Sequence, residues 1–115
     1  MKRILLIIGI TTMVVACKDS NKVSKIYKNV SLNKVITDTL IPKEDGSYTT
    51  KLIKLKGTIN DSVYASFGEG YNKMYFKGNL DTIIGVDYYG AREAVFVFDP
   101  YKSKSGNLDV EFSIQ

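Results

Sequence analysis

From Lys28 onward the apolar residues of this chain recur at every second position in short runs, and no segment shows a convincing helical period. Residues Leu108, Val110, Phe112 and Ile114 alternate with Asp109, Glu111 and Ser113. Because successive side chains of a strand point to opposite faces, that pattern builds an element with one oily and one wet side. Val, Ile, Thr, Tyr and Phe fill the runs, and Gly, Asn, Asp and Pro separate them. The spacing predicts strands near 28–32, 34–41, 48–59 (with a break near Gly57), 62–67, 74–78, 82–88, 93–98 and 107–114. Pro42 closes one run, Glu44-Asp45-Gly46 supplies a turn, Asp99-Pro100 closes another run and Ser105-Gly106 opens the last. The expected fold class is all-β: a small antiparallel β-sandwich of seven to eight strands, with a small β-barrel as the runner-up.

One hairpin can be registered from its pattern. Val63, Ala65 and Phe67 alternate in its first strand, Met74 and Phe76 in its second. Opposed residues share a face, so Phe67 is expected opposite Met74 and Ala65 opposite Phe76, across a loop from Gly68 to Lys73. Tyr64, Ser66, Tyr75 and Lys77 then share the outer face, with Tyr64 diagonal to Tyr75. The run Ala94-Val95-Phe96-Val97-Phe98 does not alternate, so its second face needs a cover, expected from the same chain.

The amino terminus follows other rules. Met1-Lys2-Arg3 is a positive head, and Ile4 to Ala16 is an almost unbroken apolar run. As a helix that run would reach about 20 Å, short of the roughly 30 Å core of a bilayer. Such a head and run describe a secretory signal peptide, not a spanning segment. The residues Val14-Val15-Ala16-Cys17 resemble the lipobox of bacterial lipoproteins, and the resemblance covers residues 1–17 alone. It implies lipid on the Cys17 sulfur, cleavage just before Cys17, and a membrane anchor of two or more acyl chains, which hold stably where one does not. Together with the polar run 18–26 and the strand pattern beyond it, the expected division is a signal peptide (1–16), a lipidated terminus and tether (17–26) and a β-sandwich domain (27–115). Lys18 follows the cysteine, where an aspartate would resemble an inner-membrane retention signal, so the expected location is the outer membrane, on either leaflet.

Composition narrows the chemistry. The chain has no histidine and a single cysteine, which removes the common zinc and copper ligand sets, Ser-His-Asp triads and Cys-His dyads. Loss of Lys2 and Arg3 with the signal peptide lowers the net charge from +4 to +2, and no basic stripe remains to suggest nucleic acid. Asp61, Glu69, Asp81, Asp87 and Asp99 fall near expected strand ends. They could line a calcium site or form an acid/base pair, but no Asp-x-Asp-x-Asp-Gly loop is present and turn chemistry accounts for them. No cofactor, metal or catalytic residue is expected.

Tyrosine is the enriched group with chemical potential: Tyr64, Tyr71, Tyr75, Tyr88, Tyr89 and Tyr101 lie within one stretch. β propensity alone would place them there. Read functionally, Tyr64, Tyr71, Tyr75 and Lys77, with the loop Gly68-Glu69-Gly70-Tyr71-Asn72, form a ligand-binding face, and the loop around Tyr101 is the next candidate. The expectation is a lipid-anchored, non-enzymatic binding module with a protein or glycan partner. The alternative is an inhibitor or immunity-type lipoprotein acting on a cell-wall hydrolase or toxin.

Overall fold

In the computed structural model, which describes residues 22–89 and 92–115, the chain is all-β. Among the described residues there are six strands: β1 (Val23–Tyr27), β2 (Ile36–Leu40), β3 (Thr50–Ser66), β4 (Met74–Asp87), β5 (Ala94–Asp99) and β6 (Gly106–Ile114). All pairings are antiparallel, in the order β1-β6-β3-β5-β2, with β4 on the other edge of β3.

The long strand β3 organises everything else. One edge carries β4 from Thr50 to Ala65; the other carries β6 along Lys51–Ile59 and then β5 along Tyr64–Ser66. A straight strand of this length would span about 55 Å. Instead the Lys51 ammonium, near its start, reaches the carbonyl of Phe67, just past its end, at 3.0 Å. The strand therefore curls back on itself, and the bend is placed by sequence. Ile59 pairs with Gly78 and Val63 with Phe76, so β3 holds two more residues than β4 between those pairs. Two extra residues preserve the alternation where one would invert it, so Ile59, Val63 and Ala65 all stay buried. Just before the bend β3 and β6 approach too closely for side chains. A Cβ on Gly57 would sit 1.9 Å from the Asn107 carbonyl oxygen, and one on Gly106 would sit 2.2 Å from that of Thr58. Both glycines also have positive φ.

The curl folds β5 over β6. Phe96 stacks on Phe112 with centroids 5.1 Å apart, Phe67 meets Phe96 edge-on, and Tyr27 meets Phe112 the same way. Burying each such ring removes enough apolar surface to contribute about 1.5–3 kcal/mol. The two outer strands are joined by side chains. The Tyr27 hydroxyl of β1 donates to the Asp38 carboxylate of β2, and Lys25 pairs with Asp38 at 3.0 Å. The result is a nearly closed antiparallel sheet.

Four features depart from the sequence reading. First, six strands replace seven or eight, because 48–59 joins 62–67 and 74–78 joins 82–88. Gly57 and Gly78 bend the ladder without ending it, and Thr58 donates to the Asn79 side chain at 2.8 Å across what looked like a turn. Second, Val23–Ile26, expected as tether, belong with Tyr27 to strand β1, paired residue by residue with β6, so the sheet includes residues ahead of the expected boundary at 27. Third, 28–32 is an irregular connection and not a strand, bent at Lys28–Asn29, with Asn29 at φ 48 and its N–H donating to the Asp109 carboxylate. Fourth, the hairpin register is offset by two. Ala65 pairs with Met74 and Tyr64 with Tyr75, because Phe67 leaves the ladder for the core and Gly68, at φ 101, turns the chain. An even offset keeps the alternation, with Tyr64, Tyr75 and Lys77 on one face, but Ser66, expected in the open with them, is buried where β5 pairs with it.

Candidate functional site

Tyr64 of β3 and Tyr75 of β4 stand directly opposite each other, their ring centroids 5.6 Å apart. Tyr101, from the segment after β5, completes a triangle at 5.8 Å from Tyr64 and 5.6 Å from Tyr75. Lys73 lies over the Tyr64 ring at 4.8 Å and Lys102 over the Tyr101 ring at 5.4 Å. Tyr75 is 55% and Tyr101 45% exposed, so the cluster presents aromatic faces and hydroxyls to solvent. Asp99 is the ladder partner of Tyr64. The neighbouring Asp99 carboxylate, and then burial, hold the Tyr64 phenol above its usual range. The same carboxylate accepts from the Tyr101 N–H at 2.7 Å.

Tyr101 does not reach this position at rest in ordinary backbone space. Its φ is 51, a left-handed conformation that costs a non-glycine residue about 1–2 kcal/mol. The bend of β3 holds it there. The Asn60 side-chain oxygen accepts from the Ser103 hydroxyl, the Lys104 N–H and the Ser105 N–H at 2.9, 2.9 and 3.1 Å. The Ser62 carbonyl accepts from the N–H groups of Lys102 and Ser103. The extra residues in β3 thus fasten the segment that delivers the third tyrosine.

The other expected site residues are distributed differently. Lys77 shares the outward face of β4 with Tyr75 and is exposed. Tyr71 is not part of the triangle. It packs edge-on against Phe67 with centroids 5.9 Å apart and lies 4.9 Å from the Lys51 ammonium. Cys17, the expected lipidation site, lies outside the described residues. Asp61 accepts from the Ser62 N–H within the bulge, as a turn aspartate does. Among the described residues no three His, Cys, Asp or Glu side chains cluster as metal ligands.

Tyr71 belongs to a second feature, a cleft of about 470 Å³ between the start of β3, the β3–β4 turn and the entry to β5. Lys51 lines it and is only 4% exposed. The sequence carried a signal for this lysine. Lys51 continues the inward alternation of Ile53 and Leu55, which puts a cation where the pattern asks for an apolar residue.

No family model matches this sequence, and no curated protein matches it. Among solved structures it is similar to the Tobacco streak virus coat protein, at 14% identity and a TM-score of 0.41 over 83% of this chain and 85% of that one. A likeness at that level carries no functional argument.

Proposed function

We propose that this chain is a lipid-anchored, non-enzymatic binding module of the bacterial envelope, built as a small β-sandwich and probing a protein or glycan partner with the Tyr64–Tyr75–Tyr101 face. The observation that carries the reading is the exposed triangle, with its third ring held in a costly backbone conformation. Strain of that kind persists where the surrounding structure over-determines it, and it concentrates at sites of use. Tyrosine offers a flat apolar face with a polar tip and loses little rotamer freedom on contact, so a few such rings dominate many interfaces. Lys73 and Lys102 add positive charge at the edge of the cluster. The anchor rests on the residues Val14 to Cys17, which place the lipid a few residues ahead of β1.

The test takes the full chain, expressed with its own amino terminus in a bacterium. Intact mass after membrane extraction should show residues 1–16 removed and acyl mass added, and Cys17→Ser should abolish both. Glycan arrays and crosslinking pulldowns, run with the wild type beside Tyr75→Ala, then identify the partner. Binding should weaken by about 1–2 kcal/mol or more in Tyr75→Ala and in Tyr101→Ala. Wild-type affinity in both variants removes this face as the site. Recovery of one cell-wall hydrolase, inhibited on binding, would replace the module reading with the inhibitor one.

A further inference from the structure

The Lys51 cleft is separate from the tyrosine triangle and has its own chemistry. Lys51 stands on the inward face of β3, in line with Ile53 and Leu55. Its ammonium donates one hydrogen bond, to the Phe67 carbonyl, and is otherwise ringed by Tyr71, Phe96 and Phe67 at 4.9, 5.4 and 5.6 Å from their centroids. An ammonium carries three N–H donors, and ring faces are weak acceptors for the other two. Among the described residues none of the ion pairs involves Lys51. Burial without an anion disfavours the charged form and lowers the pKa of this lysine. A carboxylate entering the cleft would meet a desolvated cation, where a charge-assisted hydrogen bond is strong.

The walls and rim restrict what carries that carboxylate. Tyr71, Tyr88 and Tyr89 line the cleft, and about 470 Å³ suits a ligand of one or two rings. Arg92 supplies a second cation, and Glu69 and Glu93 supply two carboxylates. Two cations against two carboxylates leave no surplus positive charge, which disfavours a phosphate dianion and leaves the buried Lys51 ammonium as the group that would hold a single carboxylate. Ionised glutamates only accept hydrogen bonds, so they want hydroxyl donors. We propose that the Lys51 cleft binds a uronic acid, a sugar ring bearing one carboxylate: the carboxylate on Lys51, the ring face on the tyrosines and the hydroxyls toward Glu69 and Glu93.

Calorimetric titration of the full chain in detergent micelles with D-glucuronate tests this, with D-glucose and benzoate as the other arms. Glucuronate should bind with a Kd of about 1 mM or tighter, and glucose and benzoate should each bind at least about tenfold more weakly. Lys51→Met keeps the volume and removes the charge, and should weaken glucuronate about tenfold or more while leaving the far-ultraviolet circular dichroism unchanged. Should that variant fail to fold, Tyr71→Ala, at a half-exposed position, should give the same loss. The proposal is overturned if glucuronate gives no saturable heat, if benzoate matches it, or if a folded Lys51→Met or Tyr71→Ala binds it as the wild type does. None of these outcomes depends on the triangle, which the Tyr75 and Tyr101 variants test separately.

Discussion

Replacing Asn60 with leucine keeps the branched shape but removes the side-chain amide and its oxygen, and should loosen both the bend of β3 and the segment carrying Tyr101. That oxygen accepts from the Ser103 hydroxyl and from the N–H groups of Lys104 and Ser105. The two N–H groups belong to exposed residues, so water can replace part of what they lose, and each should cost about 0.5–1.5 kcal/mol. Ser103 is fully buried and keeps only the Ser105 carbonyl at 3.5 Å, so stranding its hydroxyl should add about 1–3 kcal/mol. The total is about 2–6 kcal/mol, which for a domain near 100 residues lowers Tm by at least about 8 °C. Urea unfolding followed by far-ultraviolet circular dichroism measures it. Asn60→Asp keeps the acceptor and should stay near wild type. Asn60→Leu and Ser103→Ala should combine with less than additive cost, because they share one hydrogen bond. The reasoning fails if Asn60→Leu costs less than about 0.5 kcal/mol, the range of an ordinary surface change, or if Asp destabilises as much as Leu.

Phe112 is fully buried between Phe96 and Tyr27, so Phe112→Ala should cost about 3–5 kcal/mol in the same assay, and a loss below about 1 kcal/mol would remove it from the core. Gly106→Ala drives a methyl group to 2.2 Å from the Thr58 carbonyl oxygen at a φ of 140, and should abolish cooperative unfolding; a well-folded variant would show that β3 and β6 can separate there. Burial first, and then the hydrogen bond to Asp38, push the Tyr27 phenol up to about 12. Between about pH 10 and pH 12 the folded state keeps a proton that the unfolded state gives up, so stability should fall as pH rises through that window. Tyr27→Phe should fall less steeply there, and identical slopes would place the alkaline loss elsewhere.

Strand polarity was legible from residue types because it depends on alternation alone. Leu108, Val110, Phe112 and Ile114 are all buried, as are Val63, Ala65 and Phe67. Register was harder, since a two-residue offset satisfies the same faces and only the turn at Gly68 decides between them. The number of strands was overcounted because a glycine that bends a ladder and one that ends it look alike in sequence. Strand β1 was hidden by its own composition. Ser24, Lys25 and Ile26 are exposed, and pairing along one edge of β6 makes them a strand. In the triangle, Tyr64 and Tyr75 followed from parity, whereas Tyr101 joins through the distant contact between Asn60 and the 103–105 segment. Tyr71 parted from them because the chain reverses at Gly68, which no periodicity encodes.

The place of β6 bears on how this protein comes to be made. It is the last strand in chain order, yet it lies between β1 and β3, and Val23 at one extreme of the described chain pairs with Ile114 at the other. Until β6 has emerged, β1 has no neighbour in the sheet, and Phe96 lacks the ring it stacks on. Pairings of such long sequence separation form slowly, since the loop they close must be ordered first. A nascent chain of this topology can form the β3–β4 hairpin early but cannot complete the sheet until β6 is made. Up to that moment the Lys51–Ile59 edge of β3 stands unpaired, open to any other strand that meets it.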